Sequence, residues 1–132
     1  MRASILKHNK NLIASVQGSM TDADMMQLRE ELASGVRRYR STGVLVDVTL
    51  LDVMDSFAVR TLRGIAQMVK LLGAQCIIVG IQPDVAFSMV QLGLTLEEVV
   101  TRLDFEEGIA YLNSKKAGAS TKLGSSFPRR TR

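Results

Sequence analysis

Apolar positions along the chain fall into short branched runs that alternate with stripes of helical spacing. Ser4 to Leu6 and Leu12 to Val16 are short apolar segments separated by the polar stretch Lys7 to Asn11, which predicts a hairpin. Met25, Leu28, Leu32, Val36 and Tyr39 then recur at spacings of 3, 4, 4 and 3, one stripe of a helix. Thr21 is its expected N-cap, and Asp24 three positions later forms a capping box with a shorter acid than the usual Glu. Asp22 and Asp24 also suit the positive end of the helix. Gly43 opens VLVDVT, whose near-continuous branched residues predict a strand buried on both faces.

After the loop LLDVMD, Ala58, Leu62, Ile65, Val69 and Leu72 repeat at 4, 3, 4 and 3 and predict a second helix that Gly73 stops. Cys76 to Ile81 reads as another strand. Pro83 suits a first helical turn, with Val85, Met89 and Leu92 on one face and Gly93 as terminator. A short strand is expected around Val99 and Val100. Asp104 starts a last helix with Phe105, Ile109 and Leu112 inward and Glu106 and Glu107 in its first turn. Strands alternating with helices need crossover connections, so the class is α/β: one mixed, largely parallel sheet with about four helices packed against it and an antiparallel pair at the start. The methionines fall largely on or beside these stripes and read as core filling.

A length of 132 residues with 46% hydrophobic composition suits one domain with a sizeable core. No apolar run approaches the roughly 18 residues of a membrane span, and the amino terminus lacks the apolar stretch of a signal peptide. A cytoplasmic location without membrane attachment is therefore expected. The formal net charge of +4 is unevenly spread. Six of the seventeen basic residues (Lys115, Lys116, Lys122, Arg129, Arg130 and Arg132) follow Ser114 with no acid among them, leaving eleven bases against thirteen acids in residues 1–114. The expected division is a folded domain over 1–114 and a basic, flexible C-terminal tail over 115–132, rich in Gly, Ser and Thr. The tail reads first as a solvated terminus. Nucleic-acid or other anion binding through it is an alternative that mass charge alone does not favour.

Candidate chemistry is sparse. Cys76 is the only cysteine and His8 the only histidine, which excludes an internal disulfide and a cysteine metal cluster and leaves a histidine-based metal site without partners; no cofactor is expected. Function in sheets of this kind gathers where strands end and helices begin. The loop after Val44 to Thr49 holds Asp52, Asp55 and Ser56 there. In the plainest reading Asp55 or Ser56 caps the second helix. A nucleophilic serine would need a base and a GxSxG elbow that the chain lacks. A phosphoacceptor aspartate would need an acidic pair after its first strand, where Gln17, Gly18 and Ser19 stand; no phosphate-binding glycine loop follows any strand. What remains beside the cap is a serine phosphorylated by another protein, which would add roughly −1.5 to −2 charges next to Asp52 and Asp55.

The segment VLVDVTLLDVMDSFAVRTLRGIAQMVKLLGAQCIIVGIQPDVAFSMVQLGL resembles the STAS domain family of anti-sigma-factor antagonists. Asp55-Ser56, Gly73-Ala74 and Leu92-Gly93 stand where that family has its aspartate-serine pair, its glycine-bounded second strand and its Leu-Gly turn. MDSF, KLLGA and GIQPDVA followed by LGLTLEEV are most similar to RsbS-type stressosome subunits and their RsbR-type paralogues; the likeness covers about residues 4 to 113. Phe57 and Ala58 replace the x-Gly that follows Asp-Ser in many simple antagonists, which favours the stressosome branch, and residues 1 to 10 hold no amino-terminal sensory domain of the RsbR type.

The resemblance implies a STAS fold and a non-enzymatic scaffold, itself a homo-oligomer and part of a large complex with RsbR-type paralogues. It implies retention of an RsbT-type switch kinase, release on phosphorylation of Ser56, and resetting by an RsbX-type phosphatase. Asp55 and Asp52 would fix the phosphosite loop; Phe57, Arg60 and Arg63, in the early stretch of the second helix, are candidate kinase contacts, with solvated arginines on a polar face as the plainer reading. Thr21 lies near a second phosphorylated position of the larger paralogues, although its reading as a helix cap comes first. A small-molecule-binding STAS module is the other alternative, with no pocket residues marked by the sequence.

Overall fold

The computed structural model describes residues 3–94, 96 and 99–114. The chain opens with the expected hairpin, β1 (Ala3–His8) and β2 (Asn11–Gly18), paired antiparallel from Ala3 opposite Val16 to His8 opposite Asn11. Helix α1 (Asp22–Tyr39), strand β3 (Gly43–Leu51), helix α2 (Ser56–Leu71), strand β4 (Gln75–Val79), helix α3 (Pro83–Gln91) and strand β5 (Val100–Arg102) follow. A last helix, α4, spans 105–114. The five strands form one sheet in the order β1-β2-β3-β4-β5, and every pairing after the hairpin is parallel.

Hydrophobic burial sorts the helices onto two faces. Val44, Val46 and Val48 of β3 join Leu12, Ala14 and Val16 of β2 and the apolar stripes of α1 and α2 in the larger core, which Met89 of α3 also enters. On the other face Ile13, Leu45, Ile77 and Val79 pack with Leu112 of α4. Gly108 lets α4 approach closely, since a Cβ there would stand 2.6 Å from Val79 Cγ1 and 2.8 Å from Leu45 Cδ1. Each fully buried Leu or Ile contributes about 1.5–3 kcal/mol of transfer free energy, and this two-sided burial fixes the sheet between its helices.

The predicted stripes are right in phase and too long by one member. Met25, Leu28, Leu32 and Val36 are buried, whereas Tyr39 is exposed; Leu72, Leu92 and Phe105, the outer members of the other three stripes, are exposed as well. Each lies at or next to a helix end. The second branched strand is Gln75–Val79 and stops before the predicted Ile81, because Gly80 turns the chain at a φ of +82°. VLVDVT is buried on one face only near its end: Asp47 is half-buried and Thr49 exposed. The domain boundary near Ser114 and the character of residues 115–132 lie outside the described residues.

Candidate functional site

Because β2, β3 and β4 run parallel, the loops that leave their C-terminal ends share one rim of the molecule, and α1, α2 and α3 all begin there. Thr21 is the N-cap of α1, with its Oγ1 accepting from the Asp24 N–H at 3.0 Å and the Asp24 carboxylate accepting from the Thr21 N–H at 3.1 Å. The predicted capping box is therefore formed in full. Asp55 is the N-cap of α2: its Oδ1 accepts from the Ala58 N–H at 2.8 Å. That settles which member of the Asp-Ser pair caps. Ser56 is free of that duty and becomes the first residue of α2, half-buried at the helix end.

The loop between β3 and α2 is anchored at both ends. The Asp52 N–H donates to the Gly18 carbonyl at 2.9 Å, and Met54 is buried in the larger core. Asp52 and Val53 face solvent between these anchors. Phe57 is half-buried and packs against the core, so only part of its ring is left for a partner. Arg60 is exposed and Arg63 half-buried. Ser56, Arg60 and Arg63 stand at i, i+4 and i+7, which places them along one side of α2. A phosphate on Ser56 would sit near the positive end of the α2 dipole, where added negative charge is tolerated.

The STAS domain family matches residues 2–108. The chain belongs to the STAS domain family. Among curated relatives, RsbT co-antagonist protein RsbRA of Bacillus subtilis (strain 168) is 33% identical over 92 residues, 70% of this STAS chain and 34% of the relative. The STAS chain thus spans about a third of the length of that RsbR-type protein. Among solved structures, a serine-to-glutamate variant of Moorella thermoacetica RsbS matches at a TM-score of 0.75 and 29% identity, covering 89% of this chain and 99% of that one. A chain of the stressosome, described as a signal integration and transduction hub, matches at 0.70 and 27%, covering 86% and 98%. Unphosphorylated SpoIIAA, an anti-sigma-factor antagonist, shares the fold at a TM-score of 0.63 and 14% identity. The expected mixed, largely parallel sheet with its helices, five strands and four helices among the described residues, is the STAS fold.

Other predicted features take plain places in this STAS domain. Cys76 is buried, and burial pushes its thiol up from 9.0 to about 12. His8 is exposed at the end of β1. Among the described residues no group of side chains is arranged to hold a metal ion, and no helix is long and apolar enough to cross a membrane. An open groove of about 560 Å³ lies on the outer side of α1, lined by Glu30, Ala33, Ser34, Arg37 and Arg38, in the half of the helix away from its N-cap. Sequence reasoning missed Asp47, Thr49 and Gln82, which meet where β3 opens into the loop before α2. The Leu50-Leu51 doublet after a strict Val44, Val46, Val48 alternation hints at a change of phase in the strand, but no local signal marks these three side chains.

Proposed function

We propose that this chain is a non-enzymatic stressosome scaffold that retains a serine kinase and lets it go when Ser56 is phosphorylated, thereby regulating a stress-response pathway. The observation that carries the reading is the division of labour in the Asp-Ser pair. Asp55 holds the helix end through its bond to the Ala58 N–H, so Ser56 Oγ is not needed for capping, and the residue stands half-buried as the first of α2. The likeness to RsbS-type and stressosome chains over most of their length supports the same site.

In the reaction, the γ-phosphoryl group of ATP passes to Ser56 Oγ, the hydroxyl proton leaves, and ADP is released. The new charge arises on the same side of α2 as Arg60 and Arg63 and beside Asp52 and Asp55. A kinase surface that had matched the neutral serine then meets a dianion it must desolvate or repel. The partners in this reading are RsbR-type STAS paralogues, other copies of the chain, an RsbT-type kinase and an RsbX-type phosphatase that hydrolyses the phosphoserine. The location is cytoplasmic, and no cofactor takes part.

The deciding measurement is intact-mass and peptide mass spectrometry after incubation with ATP and an RsbT-type kinase, with Ser56→Ala as control. One phosphate on Ser56 is expected. In a pull-down, Ser56→Asp should retain less kinase than Ser56→Ala. No phosphate with a kinase active on another STAS substrate, or equal retention of both variants, refutes the switch.

A further inference from the structure

Strand β3 contains an extra residue just before the candidate site. One residue separates Ser15 from Gln17 in β2, whereas two separate their partners Asp47 and Leu50 in β3. This is a β-bulge, and its effect is to reverse which side of the sheet each later residue faces. Val44, Val46 and Val48 point into the larger core, and a regular strand would bury Leu50 next. Instead Leu50 is 63% exposed and Leu51 2% exposed.

The bulge is held by side chains from two distant parts of the chain. Asp47 Oδ1 accepts from both the Thr49 N–H at 2.9 Å and the Thr49 hydroxyl at 2.6 Å, so the extra residue's amide is satisfied off the ladder. The Thr49 carbonyl accepts from Gln82 Nε2. Gln82 occupies the N-cap of α3 yet makes no cap bond with its side chain, which is committed to Thr49 instead. Gly80, at a φ of +82°, lies against this cluster, and a Cβ there would collide with Thr49 Oγ1.

We propose that Asp47, Thr49 and Gln82 are positioning residues for the phosphorylation of Ser56. They fix the bulge, and the bulge sets the phase in which the chain leaves β3. That phase buries Leu51 and Met54 and so determines where the Asp52–Asp55 turn presents the serine. This inference rests on the reading of Ser56 as the modified residue.

The test uses the full chain and the variants Thr49→Val, Gln82→Leu and Thr49→Ser, the last retaining the hydroxyl. Two measurements are made on each: amide hydrogen exchange over residues 50–56, and phosphorylation of Ser56 by an RsbT-type kinase with ATP, resolved into kcat and KM. Losing one such bond should speed exchange in the loop about ten-fold in Thr49→Val and Gln82→Leu, with the interior of α2 unchanged. In the same two variants kcat/KM for the chain should fall several-fold while KM for ATP stays constant, and Thr49→Ser should behave as wild type. Unchanged exchange in both variants, faster exchange with unchanged kcat/KM, or Thr49→Ser matching Thr49→Val overturns the proposal. Failure of the wild-type chain to accept phosphate on Ser56 refutes the proposed function and the positioning role with it, while the exchange data still decide whether the three side chains hold the loop.

Discussion

The amide of Asp52 donates to the carbonyl of Gly18 at 2.9 Å, which ties the loop presenting Ser56 to the loop that leads into Thr21. Both candidate hydroxyls therefore sit on one braced rim, but their hydroxyl oxygens are used differently. Thr21 Oγ1 is spent on its own helix, whereas Asp55 relieves Ser56 of that task.

Asp55→Ala should remove the cap of α2 and lower stability by about 1 kcal/mol, with Asp55→Asn restoring most of it. Urea unfolding of the three proteins measures this. A loss of stability in Asp55→Asn equal to that in Asp55→Ala would show that the side-chain acceptor is not what matters.

Thr21→Ala should cost a similar amount, about 1 kcal/mol, and Thr21→Ser much less, because the capping box needs only the hydroxyl oxygen. The same substitution should leave the mass gained on incubation with kinase and ATP at one phosphate. A drop from two phosphates to one in Thr21→Ala would identify Thr21 as a second modified residue.

The bulge in β3 makes neighbouring leucines unequal. Leu51→Ala should destabilise the fold by about 2–5 kcal/mol, whereas Leu50→Ala should stay within about 1 kcal/mol of wild type. Denaturant midpoints compare them directly, and equal losses would mean that the strand continues in its original phase.

Cys76 gives a pH prediction. Its thiol is held near 12 in the folded protein against 9.0 in an ordinary setting, because burial disfavours the thiolate. The folded state thus binds this proton more tightly than the unfolded chain. The contribution to stability is complete below about pH 9 and declines as pH rises towards about 12, where the buried thiol ionises. Cys76→Ala should flatten that alkaline limb of stability against pH. At neutral pH the native thiol should react with a disulfide reagent only as fast as the protein opens; prompt reaction would show that the side chain is accessible.

Much of this architecture is legible in short stretches of sequence. The four helices and the Thr21 cap depend on residues three or four apart and the hairpin on two segments that adjoin in the chain, so those signals are local, whereas the choice between Asp55 and Ser56 as the second cap needed the structure. The stripes erred at Tyr39, Leu72, Leu92 and Phe105 because periodicity reports which way a side chain points and not how far its neighbour extends. The bulge was hidden for a related reason. It exists only in the pairing of β3 with β2 and is secured by Gln82, 33 residues beyond Thr49. Ser56 stands out in the sequence as a candidate through its neighbours Asp55 and Phe57, while the side chains that brace the loop before it carry no local pattern.

Strand order in this sheet follows chain order without exception from β1 to β5. Each strand consequently docks on an edge that already exists when it emerges during synthesis, and none has to insert between two earlier ones. A nascent chain can complete the hairpin, add α1 and β3, and then wind α2 onto a surface already in place. Gln82 arrives later to lock Thr49, so the rim that carries Ser56 is assembled first in outline and fastened only when α3 begins.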